Sequence, residues 1–466
     1  MASKVLTDAF ESAKKDFISQ FSNGTPANFE EFTTINDVYM AAEEIQSSQA
    51  RTRTTRNLRK IQPFLECLRH YGEVIETFVQ VKPDILALIW GPIKFLLLTS
   101  STYIQSFDKL VDAMAQISLS LPAFEKYTQL FPDNQPIHQV LCLFYQDILD
   151  FYATVLAFFK HKRWSVFFES LWPKSAGRIR LITENIEKHR IPMDGSITLA
   201  HVVGAHAARQ QAFQEFEIQQ EFRQRQDLEA VKSSLGPVLY DRDLQRLKAS
   251  RIVRSGDWLL DQEEYNQWTD PSDKTSRLLW LQGIPGAARG DPMVFAYLKY
   301  QSRENISTLQ LLHSFIWQMA LDHKELQSPL ILAHHGEFRR LSSDEDFLKD
   351  LFSQFLGSLS TTFIIIDGLD EISQSERLQI LRLTIEIMQK SNVKILISSR
   401  PEDDISRMLP EEVRSLRVHD FNTHDIEIYV NNRASSLVSD VGDFELDLAL
   451  KISDLMGKIA VKAEGN

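Results

Sequence analysis

A chain of 466 residues, 43% hydrophobic and 24% charged, has the make-up of a soluble globular protein of about two to four domains. Its net charge of −12 argues against broad nucleic-acid binding. Two cysteines, Cys67 and Cys142, each sit in an apolar helical pattern and read as buried reduced thiols, with no zinc spacing around them. The start, Met1 to Phe10, is amphipathic and lacks the apolar run of a signal peptide, so a cytoplasmic protein is expected.

Residues 1 to about 235 read almost entirely as helix. Val5, Phe10, Phe17 and Phe21 recur at helical spacing. Asn36 to Ser47 forms a second helix, with Asn36 or Asp37 as its N-cap. Arg56 to Gln80 carries Leu58, Ile61, Leu65, Leu68, Val74, Ile75 and Phe78, and Pro63 either kinks it or marks its start. Lys82-Pro83-Asp84 starts the next helix. Its apolar stretch, Ile85 to Thr99, is shorter than the ~20 residues of a membrane span, and Gly91, Pro92 and Lys94 point to a kinked core helix. Ile104 to Ser120 follows, ended by Leu121-Pro122. Pro136 opens a long apolar helix through Phe159. Its basic end, Lys160 to Arg163, suits the helix dipole as a solvated end, with contact to anionic lipid or phosphate as the alternative. Trp164 to Trp172 and Arg178 to His189 read as two further helices. Thr198 to about Ser234, rich in Gln, Glu and Arg, reads as a long solvated connecting helix, with self-association as the alternative. Leu235-Gly236-Pro237 closes it. This half has no strand alternation and no catalytic constellation.

The second half alternates strand and helix, the pattern of a parallel sheet. Leu278 to Gln282 is an apolar strand running into Gly283-Ile-Pro-Gly-Ala-Ala-Arg-Gly290, and Val294 to Tyr300 is the next strand. Helices over Ser307 to Leu321 and Asp344 to Leu359 lead to Phe363 to Ile366, a run of β-formers buried on both faces. That run ends in Asp367-Gly-Leu-Asp-Glu371. Carboxylates at the carboxyl end of a buried strand sit where open α/β sheets bind ligands, and they suit a Mg²⁺ that itself holds phosphates. A buried strand followed by an acidic turn is the plainer alternative. Ser375 to Ser391 is a helix. Val393 to Ser398 is a buried strand ending in Ser398, Ser399 and Arg400. Val413 to Val418 is a short strand, and Asn422 to Asp425 caps a helix carrying Ile426, Ile428, Tyr429 and Val430.

Strand and Gly loop, strand and acids, strand and Ser-Ser-Arg, in that order, resemble the Walker A, Walker B and sensor 1 elements of a NACHT-type P-loop NTPase of the STAND group. The segment holding Trp258 and Trp268 resembles the lead-in of fungal NACHT proteins of the nephrocystin type. Trp90 to Phe95 and Phe159 to Trp172 resemble the helical domain that often precedes NACHT in fungal proteins. The resemblance implies an α plus α/β fold: a helical adaptor or effector-like domain over residues 1–197, a connecting helix over 198–235, and a P-loop NTPase-like three-layer α/β domain over 236–466. By the same resemblance the cofactor is ATP or GTP with Mg²⁺. Gly283, Pro285 and Gly286 shape the phosphate loop, with Arg289 standing in for its Lys. Asp367 orients the metal, Asp370 or Glu371 polarises the attacking water, and Arg400 senses the γ-phosphate. Purely structural roles stand beside these: a turn at Gly283 and Gly286, and a strand end at Arg400-Pro401. Protein partners through the helical domain and a homo-oligomer are implied; no nucleic-acid partner is expected, and membrane action by the N-terminal helices, resting on the Ile85 segment and Lys160 to Arg163, is the weaker alternative. Further helices and often repeats follow residues 422–430 in the family, so a truncated C-terminal end is expected.

The phosphate loop departs from its pattern. G-x-x-x-x-G-K-[S/T] cradles phosphate with backbone N–H groups, neutralises it with Lys and binds Mg²⁺ with the hydroxyl. Here Ala288, Arg289 and Gly290 occupy the last three positions, and guanidinium does not replace a point ammonium. Too few residues separate the loop from the strand at Val294 for a parallel crossover, which takes roughly a dozen or more, usually a helix. The first βαβ unit is therefore expected to be incomplete, and the chain to bind ATP weakly or not at all. A natural degenerate module and a reading frame lacking a segment near 287–293 both account for this; the abruptness of the loss favours the second. A non-catalytic scaffold that recruits partners through its helical half is the alternative function.

Overall fold

The computed structural model describes residues 2–19, 33–51, 61–79, 83–100, 104–122, 135–160, 164–193, 199–252, 255–282, 293–299, 307–359, 361–410, 413–430 and 432. Two compact units share the chain, Met1–Gln226 and Asp227–Asn466, and the division falls within the expected connecting helix.

The described elements of the first unit are helical: α1 (Ala2–Ser19), α2 (Ile35–Arg51), α3 (Gln62–Val79), α4 (Pro83–Ser100), α5 (Ile104–Ser120), α6 (Gln135–Leu156), α7 (Trp164–Met193) and the larger part of α8 (Leu199–Leu235). Pro63 lies in the first turn of α3 and so marks its start. In α2 the cap differs from expectation. Thr34 precedes the helix and donates from its N–H and its hydroxyl to Asp37, both at 2.7 Å, so Asp37 sits inside the first turn. α6 is the central rod, packed by α1, α4 and α7. Apolar on most sides, it buries Leu141, Phe144, Tyr145, Ile148, Phe151, Tyr152 and Val155. Two buried phenols end on backbone carbonyls, Tyr71 on Leu141 at 2.6 Å and Tyr152 on Ile89 at 2.9 Å, so neither hydroxyl is orphaned. α4 carries Pro92 and is buried along most of its length. Among the described residues, Gln139–Phe159 is the one stretch long and apolar enough to cross a membrane; 83% of its window is buried inside the protein.

The two helices expected over Trp164–Trp172 and Arg178–His189 are one, α7, running through Pro173 and Gly177. Pro and Gly cost a helix about 3 and 1 kcal/mol. Here Phe168, Ile179, Ile182 and Ile186, all buried, offset that cost. Gly177 has a packing reason: a Cβ there would lie 3.1 Å from the Phe216 ring of α8.

The second unit begins with the end of α8, where Gly236 takes a left-handed φ of 54° as a helix terminator. It continues through α9 (Asp241–Ser250), α10 (Glu263–Thr269), β1 (Leu278–Gln282), β2 (Met293–Tyr297), α11 (Thr308–Asp322), α12 (Lys324–Gly336), α13 (Phe338–Ser343), α14 (Glu345–Ser358), β3 (Thr362–Asp367), α15 (Gln374–Lys390), β4 (Val393–Ser398), α16 (Asp403–Met408) and β5 (Arg414–Arg417), with a last described helical segment over residues 423–430. The expected Ser307 and Asp344 helix starts are N-caps of α11 and α14. The sequence patterns do not predict α9, α10, α12, α13 or α16.

Among the described residues, five strands form one sheet in the order β2-β3-β4-β1-β5, every pairing parallel. Leu279, Leu281, Phe363, Leu396 and Leu416 point to one face beneath Leu259, Tyr265 and Trp268. β4 is buried along its whole length. Even Lys394 is enclosed there, its ammonium donating to the carbonyls of Gln267 and Ser276 at 3.1 and 3.2 Å. The edge strand β2 is covered by a side chain: the Gln318 amide of α11 bonds both the N–H and the carbonyl of Phe295 at 2.9 Å, as a further strand would.

Candidate functional site

β1 and β2 run parallel, yet β2 lies at the far edge, beyond β4 and β3. Only ten residues, 283–292, connect Gln282 to Met293. Gly283, Pro285, Gly286 and Arg289 belong to that connection and lie outside the described residues.

The carboxyl ends of β3 and β4 are adjacent, with Asp367 paired in register with Ser398. Asp367 ends β3, and the Ser398 hydroxyl donates to its Oδ1 at 2.8 Å. Burial pushes the Asp367 carboxyl up to about 6; the Ser398 bond opposes this, while the nearby charges of Glu371 and Asp370 add to it. The chain then turns sharply. Gly368, at φ 79°, donates its N–H to the Ser398 carbonyl at 3.1 Å. A Cβ at Gly368 would stand 2.5 Å from the Leu298 carbonyl oxygen, so only glycine fits between β3 and the end of β2.

Leu369–Glu371 forms a single 3-10 turn. In it Asp370 accepts from the Arg400 backbone N–H at 3.1 Å, and its other oxygen lies 3.5 Å from Arg400 Nε. Asp370 is thereby a strut between the ends of β3 and β4, whereas the Arg400 side chain is 83% exposed. Glu371, on the same turn, is exposed. Arg377 of α15 fixes the turn from below, bonding Asp404 at 2.9 and 3.1 Å and the Ile372 carbonyl at 3.2 Å. Beside it, the Ser399 hydroxyl accepts from Trp280 Nε1 of β1 at 2.8 Å and so ties β4 to β1 at the same end of the sheet.

The structure thus brings Asp367, Asp370, Glu371 and Arg400 to one end of two neighbouring strands. Of these, Asp370 is already occupied by Arg400. Tyr297, the register partner of Asp367 on β2, was not singled out by sequence, and the pairing of Ser398 with Asp367 was not foreseen; both depend on strand register, which no local pattern reveals. Among the described residues no group of three or more His, Cys, Asp or Glu is set to hold a metal alone. One or two carboxylates together with phosphate oxygens suffice for Mg²⁺, and Asp367 is of that kind.

A second latch closes the lead-in segment. The helix expected after Asn422–Asp425 starts there, the Ile426 N–H donating to the Asn422 carbonyl at 2.9 Å, and the Asp425 carboxylate accepts from the Gly256 N–H at 2.8 Å and from Trp258 Nε1 at 3.0 Å. The Trp258 and Phe421 rings stack at 5.3 Å.

Comparison with known proteins divides the chain in the same way. Residues 59–203 match a domain of unknown function, DUF7708. Residues 254–290 and 287–400 match the family described as Nephrocystin 3, N-terminal, in two pieces that meet at 287–290. The chain is 26% identical over 219 residues to the vegetative incompatibility protein HET-E-1 of Podospora anserina, covering 41% of this chain and 16% of that protein. It therefore spans about a sixth of that relative. No solved structure matches. Together these similarities suggest a NACHT-like fungal relation.

Proposed function

We propose that the chain is a NACHT/STAND-type signalling protein, a nucleotide-dependent switch by ancestry whose phosphate site is impaired as written. The observation that carries this is the cluster at the carboxyl ends of β3 and β4, with Asp367 on Ser398 and Asp370 on Arg400, in a parallel sheet. The Nephrocystin 3 match over the same strands supports it. In a working relative, Asp367 would hold Mg²⁺, Glu371 would orient water, Arg400 would face the terminal phosphate, and the loop of Gly283, Pro285, Gly286 and Arg289 would carry ATP or GTP. The metal would supply charge neutralisation of the phosphates.

Two observations support impairment. Ten residues between parallel strands set apart by two others are fewer than a helical crossover takes, and without that helix its anion-holding N-terminus is lost as well. The family match also breaks at 287–290. Calorimetric titration with Mg·ATP and with Mg·GTP is expected to show no binding below about 1 mM; micromolar affinity would overturn the impairment. Sequencing the transcript across the codons for Gly286 to Val294 separates the causes. A dozen or more added residues with Gly-Lys-Ser/Thr restored make this chain a defective version of a working switch.

The short connection also favours a second reading, a cytoplasmic scaffold whose helical unit recruits protein partners. A nucleotide-dependent change in oligomeric state would exclude it.

A further inference from the structure

The inner side of α8 is fastened to the first unit by a dense set of contacts. Arg209 bonds Asp147 at 2.8 Å and also pairs with Asp150, both on α6. Phe213 lies under the guanidinium groups of Arg178 and Arg209, each 5.2 Å from its centroid. Phe216 covers Gly177, and Glu217 accepts from Arg178 at 2.6 Å. The outer side should then be polar throughout, and at two positions it is not. Ile218 is 67% exposed and Phe222 61% exposed, one helical turn apart on the same stripe.

The residues beside this pair are Glu215, one step before it, and Arg225, one step after it. Both are exposed, and the stripe Glu215, Ile218, Phe222, Arg225 steps by three, four and three residues, the spacing of a coiled-coil seam. Its chemistry is antisymmetric about Gln220: Ile218 and Phe222 are equidistant from it, and so are Glu215 and Arg225. A second copy laid antiparallel across a two-fold axis at Gln220 therefore meets apolar with apolar and acid with base. A parallel copy would set Glu215 against Glu215 and Arg225 against Arg225. We propose that this outer stripe of α8 is a self-association surface on which two copies of the chain pair antiparallel, Ile218 against the partner's Phe222 and Glu215 against the partner's Arg225.

Within one chain Glu215 accepts from Gln211 at 2.8 Å, and Arg225 lies 3.9 Å from Glu221, an exposed pair worth little. Both carboxylate and guanidinium keep capacity for a second partner. The stripe is short, so the dimer is a weak one, well under the roughly 1,600 Å² of a standard interface. It does not depend on nucleotide.

The test is sedimentation velocity on the full chain over a concentration series reaching roughly 100 µM, where a small interface shows. Monomer and dimer are expected in rapid exchange. Ile218→Ser with Phe222→Ser should leave monomer only. Glu215→Arg alone should weaken the dimer about tenfold, because it turns two attractive pairs into two repulsive ones, and adding Arg225→Glu should restore it. Mixing Ile218→Cys chains with Phe222→Cys chains should give a mixed disulfide that neither gives alone; burial pushes the native Cys67 and Cys142 thiols up to about 12 and keeps them out of the reaction. A chain that stays monomeric, a dimer indifferent to Ile218 and Phe222, a charge swap that fails to rescue, or equal cross-linking within the Ile218→Cys sample would each overturn the proposal.

Discussion

Gly256 and Gly368 share one backbone conformation, φ 79°, but not one environment. Nothing stands within 4 Å of a Cβ at Gly256, while at Gly368 the Leu298 carbonyl oxygen would stand 2.5 Å away. Replacing either by Ala costs about 1–2 kcal/mol for a side chain held in the left-handed region. Only Gly368→Ala adds the collision, and a contact that forces the backbone to shift costs about 1–3 kcal/mol more. The expected totals are about 1–2 kcal/mol for Gly256→Ala and about 2–5 kcal/mol for Gly368→Ala. Urea unfolding of both variants measures the difference. Hydrogen exchange of the peptide holding Leu298 locates it, since the Leu298 N–H donates to the Asp367 carbonyl at 2.8 Å. Equal costs, with Leu298 equally protected in both, would refute the close packing of β2 on the turn that presents the acids.

Two other outcomes follow from buried charge. Arg209→Ala leaves Asp147, fully buried, with His189 at 2.7 Å, and takes from Asp150 its Arg209 partner; a cost of about 3–5 kcal/mol is expected, read by circular dichroism during denaturation, and a cost under about 1 kcal/mol would refute the pairing. Asp367 is raised from 3.8 to about 6 in the fold, so the folded chain binds more protons than the unfolded one between those values, and its contribution to stability is present below about 3.8 and lost as pH rises through about 6. Asp367→Asn should therefore be more stable than the parent at pH 7.5 by up to about 3 kcal/mol, with the gain shrinking as pH falls from 6 towards 4; a difference flat in pH would refute the burial of that carboxylate.

Much of this arrangement is legible in the sequence, and the reasons are local. Leu121-Pro122 and Leu235-Gly236-Pro237 are chain breakers, so the ends of α5 and α8 fell where expected. β1, β3 and β4 are dominated by apolar runs, broken in β4 by Lys394, the mark of strands covered on both faces. Where sequence misled, distant contacts decided. Pro173 and Gly177 look like breakers, but α7 continues because its buried Ile179 and Ile182 hold it down. The Asn422–Asp425 cap stands where expected, at the start of helix 423–430, but Gly256 and Trp258, far away in sequence, claim the Asp425 carboxylate. α12 holds an internal Pro329 and gives no clean period. At the site, the acids were visible as a run, while the division of labour among them was not: that Asp370 serves Arg400 and that Ser398 serves Asp367 follows from the register of β3 on β4.

That division bears on what the acidic cluster can prove. Asp367 is held by Ser398, Asp370 by Arg400, and the turn between them by Arg377 and Gly368. None of these groups belongs to residues 283–292. The edge strand β2 is likewise held by other means, by its ladder to β3, by Gln318, and by the Tyr240 ring 6.4 and 6.1 Å from Phe295 and Tyr297. Among the described residues, the bonds that place the sheet and its acids run sideways between strands. A well-formed acidic strand end in such a unit is evidence of descent. In the proposed switch nucleotide binding would rest on residues 283–292, whereas the described bonds that hold the acids, Ser398 to Asp367 and the Arg400 N–H to Asp370, run between the ends of β3 and β4.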